Sequence, residues 1–205
     1  MSRPERDRVG LFGGSFDPPH LGHLQLARAA RDQLGLERVL WLPAGAPWQK
    51  SNRAIAPGQH RAAMLRLLIG AEAGFSVDER ELQRPGPTYT IDTVGELDAL
   101  SPGCDWVLLI GQDQYFRFHT WHRWPELLER VSLGVVARAG QAVRASDELA
   151  QRAHRMSVID MPRLDVAATA VRACMDAGLD ITELVGPAVA GYIDQNSLYR
   201  APHRS

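Results

Sequence analysis

The chain has 205 residues, 45% of them hydrophobic and 23% charged, with a formal net charge of −1. That length suffices for one domain with a substantial core, and the balanced charge excludes a global basic field of the kind that holds a nucleic-acid backbone. Cys104 and Cys174 stand far apart with no CxxC pair, which argues against a zinc knuckle or dithiol redox site and for two reduced thiols. The charged start "MSRPERDR" and the lack of any apolar run near 18 residues lead one to expect a soluble cytoplasmic protein with no membrane partner.

Apolar runs and helical patterns alternate along the chain. "VGLFG" at 9–13 is short, apolar and ends in glycine, as a buried parallel strand does. Leu24, Ala27, Ala30 and Leu34 then mark one helix face, and Gly35 stands where a left-handed terminator belongs. "RVLWLPAG" at 38–45 predicts a second strand stopped by proline, and the polar, proline-broken stretch 46–58 predicts a loop. Residues 59–73 predict a helix with Ala62, Leu65, Leu68 and Ile69 on one side. "FSVDEREL" at 75–82 predicts a short strand leaving the core, and 88–100 a helix whose threonines suit capping. "DWVLLIGQD" at 105–113 is the clearest strand. Residues 130–138 and 156–161 predict two more, and 168–177 and 187–195 two closing helices.

This alternation predicts a single α/β domain, 1–205 with its core over 8–200, on a doubly wound parallel sheet with helices on both faces. Ligands bind such sheets at the carboxyl ends of the strands. Residues 13–23, residues 111–113 and the loop before Ala167 all fall there.

The stretch "GLFGGSFDPPHLGHL" at 10–24 carries the chemistry. His20 and His23 are three residues apart, so a helix beginning near Pro19 puts both on one side. The first turn of a helix offers free backbone N–H groups and the positive end of the dipole, which suits phosphate. Gly13 and Gly14 let the preceding backbone approach that ligand, Gly22 leaves a bare surface between the imidazoles, and Asp17-Pro18-Pro19 stiffens the turn. The string is neither a P-loop, lacking its lysine, nor a GxGxxG fingerprint. A lone histidine of this kind is more often a satisfied core or turn partner; the whole string, after a strand and before a helix, favours a polyphosphate grip.

"GGSFDPPHLGH" resembles the signature of the HxGH nucleotidyltransferase superfamily, whose members transfer a nucleoside monophosphate from a triphosphate and release pyrophosphate without a covalent enzyme intermediate. "WLPAGAPWQK", "RPGPTYTIDT", "LIGQDQYFRFHTWHRWPEL" and "DITELVGPAVAGYIDQNSLY" extend the similarity, from Val9 to Tyr199, to the bacterial nicotinate-nucleotide adenylyltransferases. The resemblance implies a Rossmann-like domain with a modified C-terminal helical part. It implies ATP and nicotinate mononucleotide as substrates, deamido-NAD as product, and magnesium delivered with ATP rather than held in a protein metal cage.

Carried onto this chain, the resemblance makes His20, His23 and Arg172 catalytic. Gly13, Gly14, Ser15, Phe16, Gly22, Gly111, Asp113 and Thr169 would bind ATP, Asp113 through a ribose hydroxyl. Lys50, Thr88, Tyr89, Thr90, Trp121 and His122 would bind the nicotinate nucleotide, with Trp121 stacking on the pyridine ring and backbone N–H groups near Thr90 and His122 meeting its carboxylate. Read without the family, Trp121 and Trp124 could equally pack under a loop, Asp113 could be a helix N-cap, and Lys50 and Arg172 could be solvated charges. The chain departs from the family's ISSTxIR string at 166–172, "VAATAVR", where Ala167 and Ala168 replace two serines. The rival readings are an HxGH adenylyltransferase with a nicotinamide-nucleotide or phosphopantetheine acceptor, and a nucleotide-binding regulator without turnover. Association with further copies of the chain stays open, and no nucleic-acid partner is expected.

Overall fold

A computed structural model describes residues 7–45, 55–138, 142–161 and 166–199. In chain order the elements are β1 (Arg8–Gly14), α1 (Leu21–Leu34), β2 (Arg38–Pro43), α2 (Gly58–Ile69), β3 (Phe75–Val77), α3 (Arg80–Gln83), α4 (Thr90–Leu100), β4 (Asp105–Gly111), α5 (Gln112–Phe116), a 3₁₀ turn (Phe118–Thr120), α6 (Trp124–Arg130), β5 (Val131–Arg138), α7 (Asp147–Ala150), β6 (Met156–Met161), α8 (Ala168–Asp176), α9 (Thr182–Val185) and α10 (Pro187–Gln195). The strands form one six-stranded sheet in the order β3-β2-β1-β4-β5-β6. Every neighbouring pair is parallel. The chain therefore runs outward from β1 to β3, then returns to the centre at β4 and runs outward the other way. This reversal opens a crevice between the ends of β1 and β4, where α/β sheets of this winding bind ligands.

Burial on both faces explains why the central strands read as continuous apolar runs. In β4, Val107 and Leu109 pack into one core with Phe12 of β1 and Leu24, Ala27, Ala30 and Leu34 of α1. Their sequence neighbours Trp106, Leu108 and Ile110 face a second core with Ile91, Val94 and Leu97 of α4 and Leu127 of α6. The α1 face follows the spacing of the sequence: the same four residues are buried, and Gly35 closes the helix at φ 61°.

Four expectations need correction. Helix α2 ends at Ile69 rather than at residue 73, closed by Gly70, whose N–H donates to the Arg66 carbonyl at 3.0 Å. Strand β3 ends at Val77 and residues 80–83 turn helical, so "FSVDEREL" is strand only in its first three residues; Asp78 accepts from the Arg80 backbone N–H at 3.0 Å, a local bond that turns the chain. Helix α4 begins at Thr90 behind Tyr89, without a threonine side-chain cap. Asp113 is not an N-cap; Gly111 holds that position and Asp113 lies in the first turn of α5.

Candidate active site

The turn from β1 into α1 places the paired imidazoles. His20 is the N-cap of α1, with extended backbone at φ −147° and ψ 167°. Its backbone N–H donates to His23 Nδ1 at 3.1 Å, and the His23 N–H donates to the His20 carbonyl at 2.9 Å. The two rings lie face to face, with centroids 3.7 Å apart and planes inclined by 31°. Two unit charges about 4 Å apart repel by about 4 kcal/mol at an effective dielectric of 20, so this stack does not hold two imidazolium ions. Burial drives His20 towards neutrality, lowering its pKa to about 4.

Hydrogen bonding also sets where the protons sit. His23 Nδ1 accepts a bond, so the neutral His23 ring carries its proton on Nε2. His20 Nδ1 is buried without a hydrogen-bond partner. An orphaned acceptor costs less than an orphaned N–H, so His20 also carries its proton on Nε2. The result is a stacked pair of Nε2–H donors at the start of a helix whose first turn holds no acidic residue.

Gly22 serves this pair differently from its sequence reading. A Cβ there would lie 3.0 Å from His20 Nδ1 and 3.4 Å from the Val166 carbonyl oxygen. Its bare face is taken up by the His20 ring rather than left open. Gly13 does face open space at the end of β1, as Gly111 does at the end of β4. Phe16 lies in the core, 2% exposed, its ring edge-on to His23 at 5.1 Å and packed under Gly14. Its side chain therefore shapes the floor of the turn, and the neighbouring Ser15 carbonyl accepts from Arg61 Nη1 at 2.8 Å. Phe16 adopts φ 47°, and the Asp17–Pro18 peptide is cis.

Helix α8 reaches the same turn from the other end of the chain. Arg172 donates through Nη1 to the Asp17 carbonyl at 2.6 Å, so it is no solvated bystander. Ala167 is the N-cap of α8, with no side-chain cap, and Thr169 is exposed in the first turn, which again carries no acidic residue. The alanine thus stands where a serine would bond the helix's own N–H groups.

The residues expected to hold the nicotinate ring meet around the start of α4 and the 3₁₀ turn. Tyr89 stacks on His122 at 4.2 Å, and Trp121 stacks on Phe118 at 5.1 Å. Thr88 is buried beside Gly45, where an added Cβ would come 3.1 Å from Thr88 Cγ2 and only 2.1 Å from the Glu81 carbonyl oxygen. This close approach requires glycine and seats the end of β2 against the Thr88 segment. Lys50 lies outside the described residues.

Sequence reasoning missed the buried Arg61 and Glu81 and the half-buried Tyr199, and it read the buried Asp17 only as part of a stiff turn. Arg61 had a signal, since it shares a face with Leu65 and Leu68 at helical spacing and is 1% exposed. Glu81 accepts from Thr93 Oγ1 at 2.8 Å; burial is the main influence on its carboxyl and raises its pKa. It supports Thr88 and Thr93 from below, which only the fold reveals.

This geometry has relatives. Residues 11–173 match the cytidylyltransferase-like family. A probable nicotinate-nucleotide adenylyltransferase of Methylibium petroleiphilum is 46% identical over 206 residues, covering 98% of this chain and 97% of that protein. One of Bordetella petrii is 42% identical, covering 94% of this chain and 99% of that protein. The fold matches that of the Plasmodium falciparum nicotinic acid mononucleotide adenylyltransferase complexed with NaAD, with a TM-score of 0.77 at 16% identity over 95% of this chain and 98% of that one. Stacked imidazoles at the first crossover, identity that high and coverage end to end place the chain in the nicotinate-nucleotide adenylyltransferase family.

Proposed function

We propose that the protein transfers AMP from ATP to nicotinate mononucleotide. A phosphate oxygen of the mononucleotide attacks the α-phosphorus of ATP, the bond from that phosphorus to the bridging oxygen breaks, and pyrophosphate leaves with the electron pair. Deamido-NAD is the product. Such a displacement needs alignment and charge stabilisation rather than a protein nucleophile. The observation that carries the reading is the His20–His23 stack: two neutral Nε2–H donors, the His23 ring anchored by the His20 backbone N–H and the His20 ring stacked on it, suit the oxygens on which charge builds. Arg172 and the first turns of α1 and α8 add fixed positive potential.

Gly13, Gly14, Ser15, Gly111, Asp113 and Thr169 fit contacts to the nucleotide, and Thr88, Tyr89, Thr90, Trp121 and His122 fit the acceptor. Magnesium enters as part of the substrate, MgATP. Imidazole nitrogens are poor partners for so hard a cation, which supports phosphate oxygens as its ligands. Among the described residues no helix is long and apolar enough to cross a membrane.

The test is pyrophosphate release with MgATP and either nicotinate or nicotinamide mononucleotide. We expect turnover with the nicotinate form, and the nicotinamide form slower by about 10- to 100-fold, the effect of an N–H donor left facing an amide NH₂. Equal rates would overturn the acceptor assignment; no release with either would overturn the enzymatic reading.

A further inference from the structure

A buried charge pair, Arg61 and Asp17, stands behind the imidazoles, outside the set of phosphate donors. The Arg61 guanidinium donates to three backbone carbonyls from three separate segments: Nη1 to Ser15 at 2.8 Å, Nη2 to Ala44 at 2.7 Å, and Nε to Ala56 at 2.9 Å. Asp17, 2% exposed, is the companion hub. Its Oδ1 accepts from the Ala56 N–H at 3.0 Å and from the Tyr199 hydroxyl at 2.7 Å, while its carbonyl takes the bond from Arg172. The Ala44 N–H closes the set on the Gly14 carbonyl at 2.9 Å. Burial opposes the charge of Arg61, and the attraction of Asp17 counters it.

We propose that Arg61, Asp17 and Tyr199 form a positioning brace that fixes the residue 14–17 turn, and through it His20, His23 and Arg172, in the geometry needed for AMP transfer. Stability alone does not account for it. A buried ion pair is often no more stabilising than apolar residues of the same volume, yet every bond of this set ends on the turn or on a segment packed against it. A guanidinium fork reaches three carbonyls at once, which a single ammonium on a flexible stem does not reproduce. Tyr199 adopts φ 61°, an uncommon conformation for a tyrosine, at the point where its hydroxyl meets Asp17. Displacing a reacting group by about 1 Å can lower a rate by about a hundredfold, so the brace matters for turnover more than for folding.

The inference rests on the adenylyltransferase reading, so the wild-type protein is assayed first with MgATP and nicotinate mononucleotide. Arg61→Lys and Tyr199→Phe are then compared with it well below their melting temperatures. Arg61→Lys is expected to lower kcat at least about tenfold and Tyr199→Phe about three- to tenfold, with KM for nicotinate mononucleotide within about twofold and ATP binding by calorimetry at least about threefold weaker in both. If Arg61→Lys does not fold, Tyr199→Phe decides alone. Wild-type kcat and ATP affinity in the folded variants, whatever their melting temperatures, would overturn the brace. If the wild type binds ATP but releases no pyrophosphate, the adenylyltransferase reading fails, and ATP affinity alone then judges the brace.

Discussion

The two ends of the crevice are built on different principles. Around the imidazoles, buried and half-buried polar groups are tied to the backbone: the His23 ring through the His20 N–H, Arg172 through the Asp17 carbonyl, Arg61 through three carbonyls. Around Trp121 and Tyr89 the contacts are ring on ring: half-buried Tyr89 on exposed His122, and half-buried Trp121 on the buried Phe118. A phosphate tail has fixed geometry and concentrated charge, so preorganised donors serve it. An aromatic ring asks for flat apolar area, which adaptable stacking supplies. Damage at the first end should therefore appear in kcat, and damage at the second in KM.

The largest effect is expected from the donors themselves. His23→Ala or His20→Ala should lower turnover by about a hundred- to a thousandfold, the usual loss for one preorganised donor, with the fold retained by circular dichroism. Turnover within a few-fold of wild type in either variant would remove the imidazole from the mechanism and break the contrast at its stronger end.

His20 also makes a stability prediction. Its pKa falls from 6.5 in the unfolded chain to about 4 in the fold, because burial disfavours the charged ring. The unfolded state thus binds the extra proton first. The stabilisation is complete above pH 6.5, is lost progressively as the pH falls towards 4, and amounts to about 3 kcal/mol. Urea unfolding across that range should show the loss in wild type and a flatter profile in His20→Asn. Parallel profiles would mean that the ring is not held neutral by burial.

These two predictions lean on residues that the sequence exposed, and the reason is local. The α1 face, the glycine at its end and the paired histidines are all written within 26 consecutive residues, 10–35, where periodicity and capping rules apply. Asp17, Arg61 and Tyr199 come together from places 44 and 138 residues apart in the chain, as their numbers show, and no local rule joins them. The same holds for Gly22, whose sequence suggests room for a ligand and whose fold fills that room with His20. The short helices α3, α5, α6, α7 and α9 also escaped, since four to seven residues are too few for a periodic face to declare itself.

At the aromatic end, Trp121→Ala should raise KM for nicotinate mononucleotide about tenfold with kcat nearly unchanged, as expected for a stack worth about 0.5–1.5 kcal/mol. Steady-state kinetics with the acceptor varied would show it. A fall in kcat with constant KM would place Trp121 with the imidazoles and erase the contrast.

The smallest effect tests the departure at α8. Ala167 already has the extended backbone of an N-cap, φ −127° and ψ 149°, so Ala167→Ser introduces a hydroxyl without moving the chain. The serine oxygen can accept from an N–H of the first turn, worth about 1 kcal/mol of helix stability. Its own proton remains free to donate to phosphate, worth about 1 kcal/mol or fivefold in ATP affinity. Calorimetric melting and ATP titration separate the two roles. A higher melting temperature with fivefold tighter ATP binding would show that α8 behaves like the phosphate end of the crevice, where one group serves both backbone and ligand. A higher melting temperature with unchanged affinity would assign the hydroxyl to the helix alone, and phosphate binding by α8 would then rest on its uncapped backbone N–H groups together with Thr169 and Arg172.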